Sequence, residues 1–168
     1  MPGDQPRDRG QRGSPGHFQS HGGAQEPTLQ QLWPGYLERG YFDGTGNLRP
    51  ECVDRHKMVP LVRAMANGQP KLTTHQVRRF FQHCRAIEAR LRSRTSKWEA
   101  EEATFRKIDV AASDAYGKSP KKIPRLFHDF IERNVASVRS EQDFLKGFLP
   151  HFEALVGFGA PFLRDERS

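Results

Sequence analysis

Lys71-Leu72-Thr73-Thr74-His75-Gln76-Val77-Arg78-Arg79-Phe80-Phe81, continuing through Cys84, Arg85, Ile87, Leu91 and Arg92, is the stretch on which the fold turns. Thr73 stands where a helix N-cap belongs, and Gln76 three residues later completes a capping-box pattern. At 100° per residue, Val77, Phe80, Phe81, Cys84, Ile87 and Leu91 fall within one sector of roughly 120°. Arg78, Arg85 and Arg92 recur every seven residues and form a row on the flank of that stripe. The spacing predicts a helix from about Thr73 to Arg92 that buries one face and offers guanidinium groups beside it.

Outward from this helix the same periodicity repeats. Asn67-Gly68-Gln69-Pro70 stops a preceding helix, predicted from about Glu51 to Ala66 with Val53, Met58, Leu61, Val62 and Met65 inward. After a break at 93–96, a helix from about Lys97 to Tyr116 opens on Glu99, Glu101 and Glu102, acids that suit a helix N-terminus. Trp98, Phe105, Ile108, Ala112 and Tyr116 are its apolar face. A lysine-bearing loop, 117–122, leads to a helix marked by Ile123, Phe127, Phe130, Ile131, Val135 and Val138, with Pro124 in its first turn. Ser140 and Asp143 open the last helix, which carries Phe144, Leu145, Phe148, Phe152, Leu155 and Val156 and which Pro150 is expected to bend.

Upstream, Leu29, Leu32, Trp33 and Leu37 predict a short helix limited by Pro34. The turn cluster at 40–47 carries Tyr41 and Phe42 as anchors. Residues 1–27, rich in Gly, Pro, Gln, Arg and Ser, are expected to be a disordered tail. No segment alternates strictly with β-branched residues, so no sheet is expected. The fold class is all-α: a compact bundle of about five helices. Residues 28–50 read as an N-terminal extension, 51–160 as the bundle and 161–168 as a C-terminal tail.

Of the 168 residues 35% are hydrophobic, enough for one modest core. Lys and Arg number 27 against 20 Asp and Glu, a net charge of +7. The surplus is local, because Arg55 to Arg125 holds 17 basic and 6 acidic residues. A basic middle between slightly acidic ends points to a phosphate-facing patch. Two cysteines, Cys52 and Cys84, make no disulfide framework. No signal peptide and no apolar run of transmembrane length is read, and a cytoplasmic protein is expected.

Catalytic chemistry finds no convergent set. There is no nucleophile elbow, P-loop or HExxH, and neither a cofactor nor a small-molecule substrate is expected. Cys52 and His56 are spaced i, i+4, but no second pair stands at metal spacing, so no metal site is expected. What remains is charge. One cluster is Lys71, Arg78, Arg79, Arg85 and Arg92; the second is Lys118, Lys121, Lys122 and Arg125. In an antiparallel bundle the two could merge into one sequence-independent phosphate track. The aromatics stand at core spacing, so backbone binding rather than base stacking is indicated. Two alternatives stay open on residues alone: a helix-turn-helix DNA-binding regulator, with 67–70 as its turn, and a scaffold whose arginines meet acidic protein surfaces.

Leu72-Thr73-Thr74-His75-Gln76-Val77-Arg78-Arg79-Phe80, the Ala115-Tyr116-Gly117-Lys118 joint and Phe152-Glu153-Ala154-Leu155-Val156-Gly157-Phe158 resemble the small subunit of the type III-A CRISPR Csm effector complex. Tyr36 to Asp43 and Gly46 to Pro50 look like the N-terminal portion of longer members, so the resemblance spans roughly 30 to 160. It implies a non-catalytic helical bundle stacked in several copies beside the guide-holding subunits. Its partners would be guide RNA, the target-RNA backbone, other Csm subunits and copies of itself, in antiviral defence. By motif, Arg78 is the leading candidate for an RNA contact, with Lys71 and Arg79 beside it. Lys118 matches a family position that is often basic.

Overall fold

The computed structural model describes residues 25–165; the tail expected over 1–27 lies outside them except for its last three residues. Six α-helices follow in order: α1 (Leu29–Leu32), α2 (Arg55–Ala66), α3 (Thr74–Arg92), α4 (Trp98–Gly117), α5 (Arg125–Ser137) and α6 (Leu149–Gly159). A 3₁₀ turn, Pro50–Val53, precedes α2, and a π-helical turn, Asp143–Phe148, runs into α6. Among the described residues there is no strand, only an isolated bridge between Phe42 and Leu48.

Each boundary has a local cause. Thr28 and Gln31 cap α1 reciprocally, and the helix ends at Trp33, before Pro34. The helix expected from Glu51 is interrupted at Asp54, whose extended backbone lets its carboxylate cap α2 by accepting from the His56 N–H at 2.8 Å. Val53 is therefore not an inner residue; it falls in the 3₁₀ turn and is 40% exposed. Thr73 and Gln76 cap α3 as the pattern predicts, with bonds of 3.2 and 3.1 Å. Pro124 stands just before α5 as its N-cap residue. Pro150 marks a change of hydrogen-bond register: the Leu149 N–H still reaches back five residues to Phe144, and the ladder is α-helical beyond it.

α3 and α4 form a hairpin, α5 packs on α4, and α6 packs on α2 and α3. Phenylalanines fill the space between them. Phe105, Phe127, Phe130, Phe144, Phe148 and Phe152 are wholly buried, with ring centroids 5.2 Å apart for Phe105 and Phe148 and 5.5 Å for Phe148 and Phe152. At α3, Phe80 meets Phe127 edge-on at 5.2 Å and Phe81 meets Phe152 at 5.4 Å.

The segment before α2 is part of this core. Leu29, Trp33, Tyr36 and Tyr41 are buried in it. Tyr41 reaches the π-helical turn where there is no side chain: a Cβ added at Gly147 would stand 2.6 Å from the tyrosine ring. The buried polar groups join in one directional chain. The Tyr41 hydroxyl donates to Asn134 Oδ1 at 2.7 Å, and Asn134 Nδ2 donates to the Tyr36 hydroxyl at 2.8 Å. The Tyr36 hydroxyl donates to His151 Nε2 at 2.6 Å, and His151 Nδ1 donates to the Cys52 carbonyl at 2.6 Å. That carbonyl can only accept, which assigns the proton to Nδ1.

Burial holds the His151 imidazole neutral, with its pKa pushed down to about 4. Because the folded value lies below the model-peptide 6.5, the unfolded chain takes up the proton first as pH falls. Stability is expected to be complete above about pH 6.5 and to fall by up to ~1.4 kcal/mol per pH unit towards pH 4. Thermal melts of wild type and His151→Gln from pH 7.5 to 4 check this; a pH dependence identical in the variant would remove His151 as its source.

Candidate nucleic-acid interface

α3 carries its cations on two flanks. Arg79 and Arg78 are neighbours in sequence but start 100° apart around the helix axis. α4 lies along the Arg79 side, where His83 Nε2 is 2.8 Å from the Thr104 carbonyl and Arg90 grips Glu101. Arg78, Arg85 and Arg92 lie on the opposite side.

On the Arg79 side, two clefts adjoin. One runs between α3 and α4 and is lined by Arg79, Lys107, Lys118 and Lys122, with Asp114 the acid among them. The other sits at the start of α3 and is lined by Lys71, Lys121 and Lys122, with His75 and Asp165. Gln76 and Lys122 belong to both. Gln76 explains the join: its Oε1 completes the α3 cap, while its Nε2 donates to the Lys122 carbonyl and pins the lysine loop against α3. Lys121 is fixed as well, with Nζ donating to the Tyr116 carbonyl at 3.1 Å and standing 3.8 Å above the Tyr116 ring. Lys118 pairs with Asp114 at 2.9 Å.

The two sequence clusters therefore meet only in part. Lys71, Arg79, Lys118, Lys121 and Lys122 come together, and Lys107, which the sequence reading did not single out, joins them. Lys107 is seven residues before Asp114 and eleven before Lys118 on α4; that helical spacing was the available signal. Arg125 lines neither cleft and pairs within α5 with Asp129 at 3.4 Å. Arg85 and Arg92 share one carboxylate, Glu88, which Arg92 Nε meets at 2.8 Å. Glu88 is 9% exposed, so this ion triplet is anchored against the bundle. Of the row on the second flank, only Arg78 has no acidic partner among the described residues.

Glu101 also does more than favour a helix start. Arg90 holds it through two parallel bonds, Nε to Oε1 at 2.7 Å and Nη2 to Oε2 at 2.8 Å, and its pKa is pulled down to about 2 chiefly by that clasp. This pair ties α3 to α4 near the far end of their hairpin.

Chemistry of other kinds is sparse. His128, Asp129 and Glu132 on α5 bring ligand atoms within 4.8 Å of one another. Asp129 is already engaged by His128 Nδ1 at 2.9 Å and by Arg125. Cys52 and Cys84 are buried thiols, pushed up to about 11 and about 12 by desolvation, which suits packing and not nucleophilic attack. Among the described residues no helix is long and apolar enough to cross a membrane.

A family model described as Csm2 Type III-A matches residues 57–160, from α2 to the end of α6. The chain belongs to that family. It is accordingly a type III-A CRISPR Csm subunit, and its partners include other subunits of the Csm complex. No curated protein and no solved structure matches it. The matched span contains both clefts except Asp165, and it begins after the Tyr36–Tyr41 segment that the core absorbs.

The depressed Glu101 carboxyl has a measurable consequence. Its contribution to stability is present above the ordinary value of 4.5 and is lost as pH falls from there through about 2. Glu101→Gln is expected to lower the melting temperature at pH 7 and to flatten the acid limb of the stability profile below pH 4.5. An unchanged acid limb would assign the titration to another carboxylate.

Proposed function

We propose that this Csm2 chain is a non-catalytic small subunit that lies along the guide–target RNA duplex of a cytoplasmic type III-A effector complex. In antiviral defence it would stack in several copies and hold chiefly the target-strand backbone. The observation that carries the reading is the union of the two clefts through Gln76 and Lys122: Lys71, Arg79, Lys118, Lys121 and Lys122 lie about one end of the α3–α4 hairpin, and Lys107 lies along the cleft at mid-α4.

Several features support backbone contact over base reading. The cations flank grooves and are aimed by helix and loop backbone, as a phosphate track requires. The aromatic rings beside them are committed elsewhere: Phe80 to Phe127, and Tyr116 to His128 at 4.8 Å and to Lys121. A recognition helix reading DNA would need a free N-terminal tip. Here the His75 N–H at the start of α3 donates to Asp165 at 2.9 Å, and the lysine loop is tied across the same turn. Arg78 would engage RNA from the second flank, or a neighbouring copy, and Arg85 and Arg92 act there as a pair already part-neutralised by Glu88.

Binding is therefore expected to be indifferent to sequence and steeply salt-dependent. Arg79→Ala with Lys122→Ala should weaken RNA binding by about tenfold or more and reduce the magnitude of the log–log salt slope by roughly 1.4–1.8, the share of two phosphate contacts. Fluorescence anisotropy with an RNA duplex across a salt series, with helical circular dichroism as the folding control, measures both. Retention of wild-type affinity and slope in a folded double variant would overturn the track. Arg78→Ala, measured in parallel, reports the second flank.

A further inference from the structure

α2 and α6 approach closely because Gly159 has no side chain: a Cβ there would stand 2.7 Å from Val62 Cγ2. That approach sets Phe158 and Phe162 beside α2, half-buried at the surface. The other phenylalanines of the described residues pack on aromatic neighbours, whereas these two meet no aromatic ring among them. Each carries a guanidinium instead. Arg55 stands over the Phe158 ring at 5.0 Å, and Arg63 over the Phe162 ring at 4.9 Å.

The two arginines are eight residues apart on α2, about 12 Å along its axis, with Val59 between them on the same side. Both are exposed, and neither has an acidic partner among the described residues. The acids near this face in the chain are engaged elsewhere: Asp54 caps α2, and Asp165 accepts from the His75 N–H. On α6 the exposed side runs uncharged through Ala160 and Gly157 as far as Glu153. None of these face residues lines either RNA cleft.

A guanidinium over a ring is part-desolvated on one side, while its N–H fork stays free for a bidentate acceptor. Arginine and phenylalanine together on apolar ground make up the core of protein–protein contacts. A phosphate backbone would neutralise the arginines but leave the rings and Val59 against water; a protein surface covers both. A second copy of this chain is a poor occupant. Each copy carries a net charge of +7, and Glu88, Glu101, Glu102, Asp114 and Asp129 are tied to cations of their own chain.

We propose that the α2–α6 face docks an acidic protein surface on another subunit of the Csm complex. Arg55 and Arg63 each take a carboxylate, and Phe158, Phe162 and Val59 supply the apolar ground that the partner covers. RNA in the clefts and this neighbour draw on separate residues, so loss of one contact leaves the other in place.

The test uses the Csm complex assembled from its other subunits, to which the tagged full chain is added. Arg55→Gln with Arg63→Gln should lower retention of the chain by about tenfold or more. Helical circular dichroism should stay unchanged, and the affinity of the isolated chain for a free RNA duplex should stay within about threefold. In a second arm, Arg55→Lys with Arg63→Lys keeps the charge and supplies amines that a carbodiimide couples to carboxylates in contact. After ribonuclease treatment, cross-links from position 55 or 63 should reach Asp or Glu of another subunit. Undiminished retention of the folded glutamine variant would overturn the proposal. So would cross-links that reach only a second copy of this chain. A loss of duplex affinity as large as the loss of retention would also overturn it, by assigning the arginines to RNA.

Discussion

The hydrogen-bonded chain from Tyr41 through Asn134, Tyr36 and His151 to the Cys52 carbonyl is the constraint on which the rest of the fold depends. It joins the segment before α2, the last turn of α5 and the first turn of α6, three parts far apart in the sequence. Every group in it is deeply buried, so each bond must be made in the folded state or a polar atom is left without a partner. A greasy phenylalanine core specifies volume but tolerates sliding; a directional chain of donors and acceptors admits one register. The close approach of Tyr41 to Gly147 belongs to the same lock.

On that rigid body, acids decide what the basic residues can do. Glu101 joins the hairpin, and Glu88 gathers Arg85 and Arg92 to the side of α3 away from α4. A row that counts three positive charges in the sequence presents one unpaired guanidinium, Arg78. Other cations of the hairpin and its loops stand at its two ends, Lys71, Lys121 and Lys122 at one and Arg94 and Lys97 at the other.

Helical periodicity made most of this architecture legible, because each long helix packs one face on a single core and so carries its burial in its spacing. The stripe of α3 and its capping box are plain in Thr73, Gln76 and Val77. What periodicity does not carry is partnership across helices. Glu101 reads as a favourable first-turn acid whether or not Arg90 reaches it, and Gln76 reads as a cap whether or not its amide also holds Lys122. The break at Asp54 is hidden because Pro50 and Glu51 are themselves good helix starts; the true cap shows only in the carboxylate two residues before His56. Arg78 and Arg79 look like one cluster in a linear text and diverge by a turn angle in three dimensions. Tyr41 reads as an anchor of its turn, but nothing local signals that Tyr36, Asn134 and His151 join it in one buried chain.

Gln76 works with both ends of one amide, the oxygen closing α3 and the nitrogen clasping the lysine loop. Conversion of that amide to a carboxylate, as spontaneous deamidation produces, would keep the oxygen that caps the helix. It would also set a negative charge against the Lys122 carbonyl. The helix would survive and the clasp would open, so chemical ageing of one side chain could disperse the lysines around the shared cleft while the fold beneath them stayed whole.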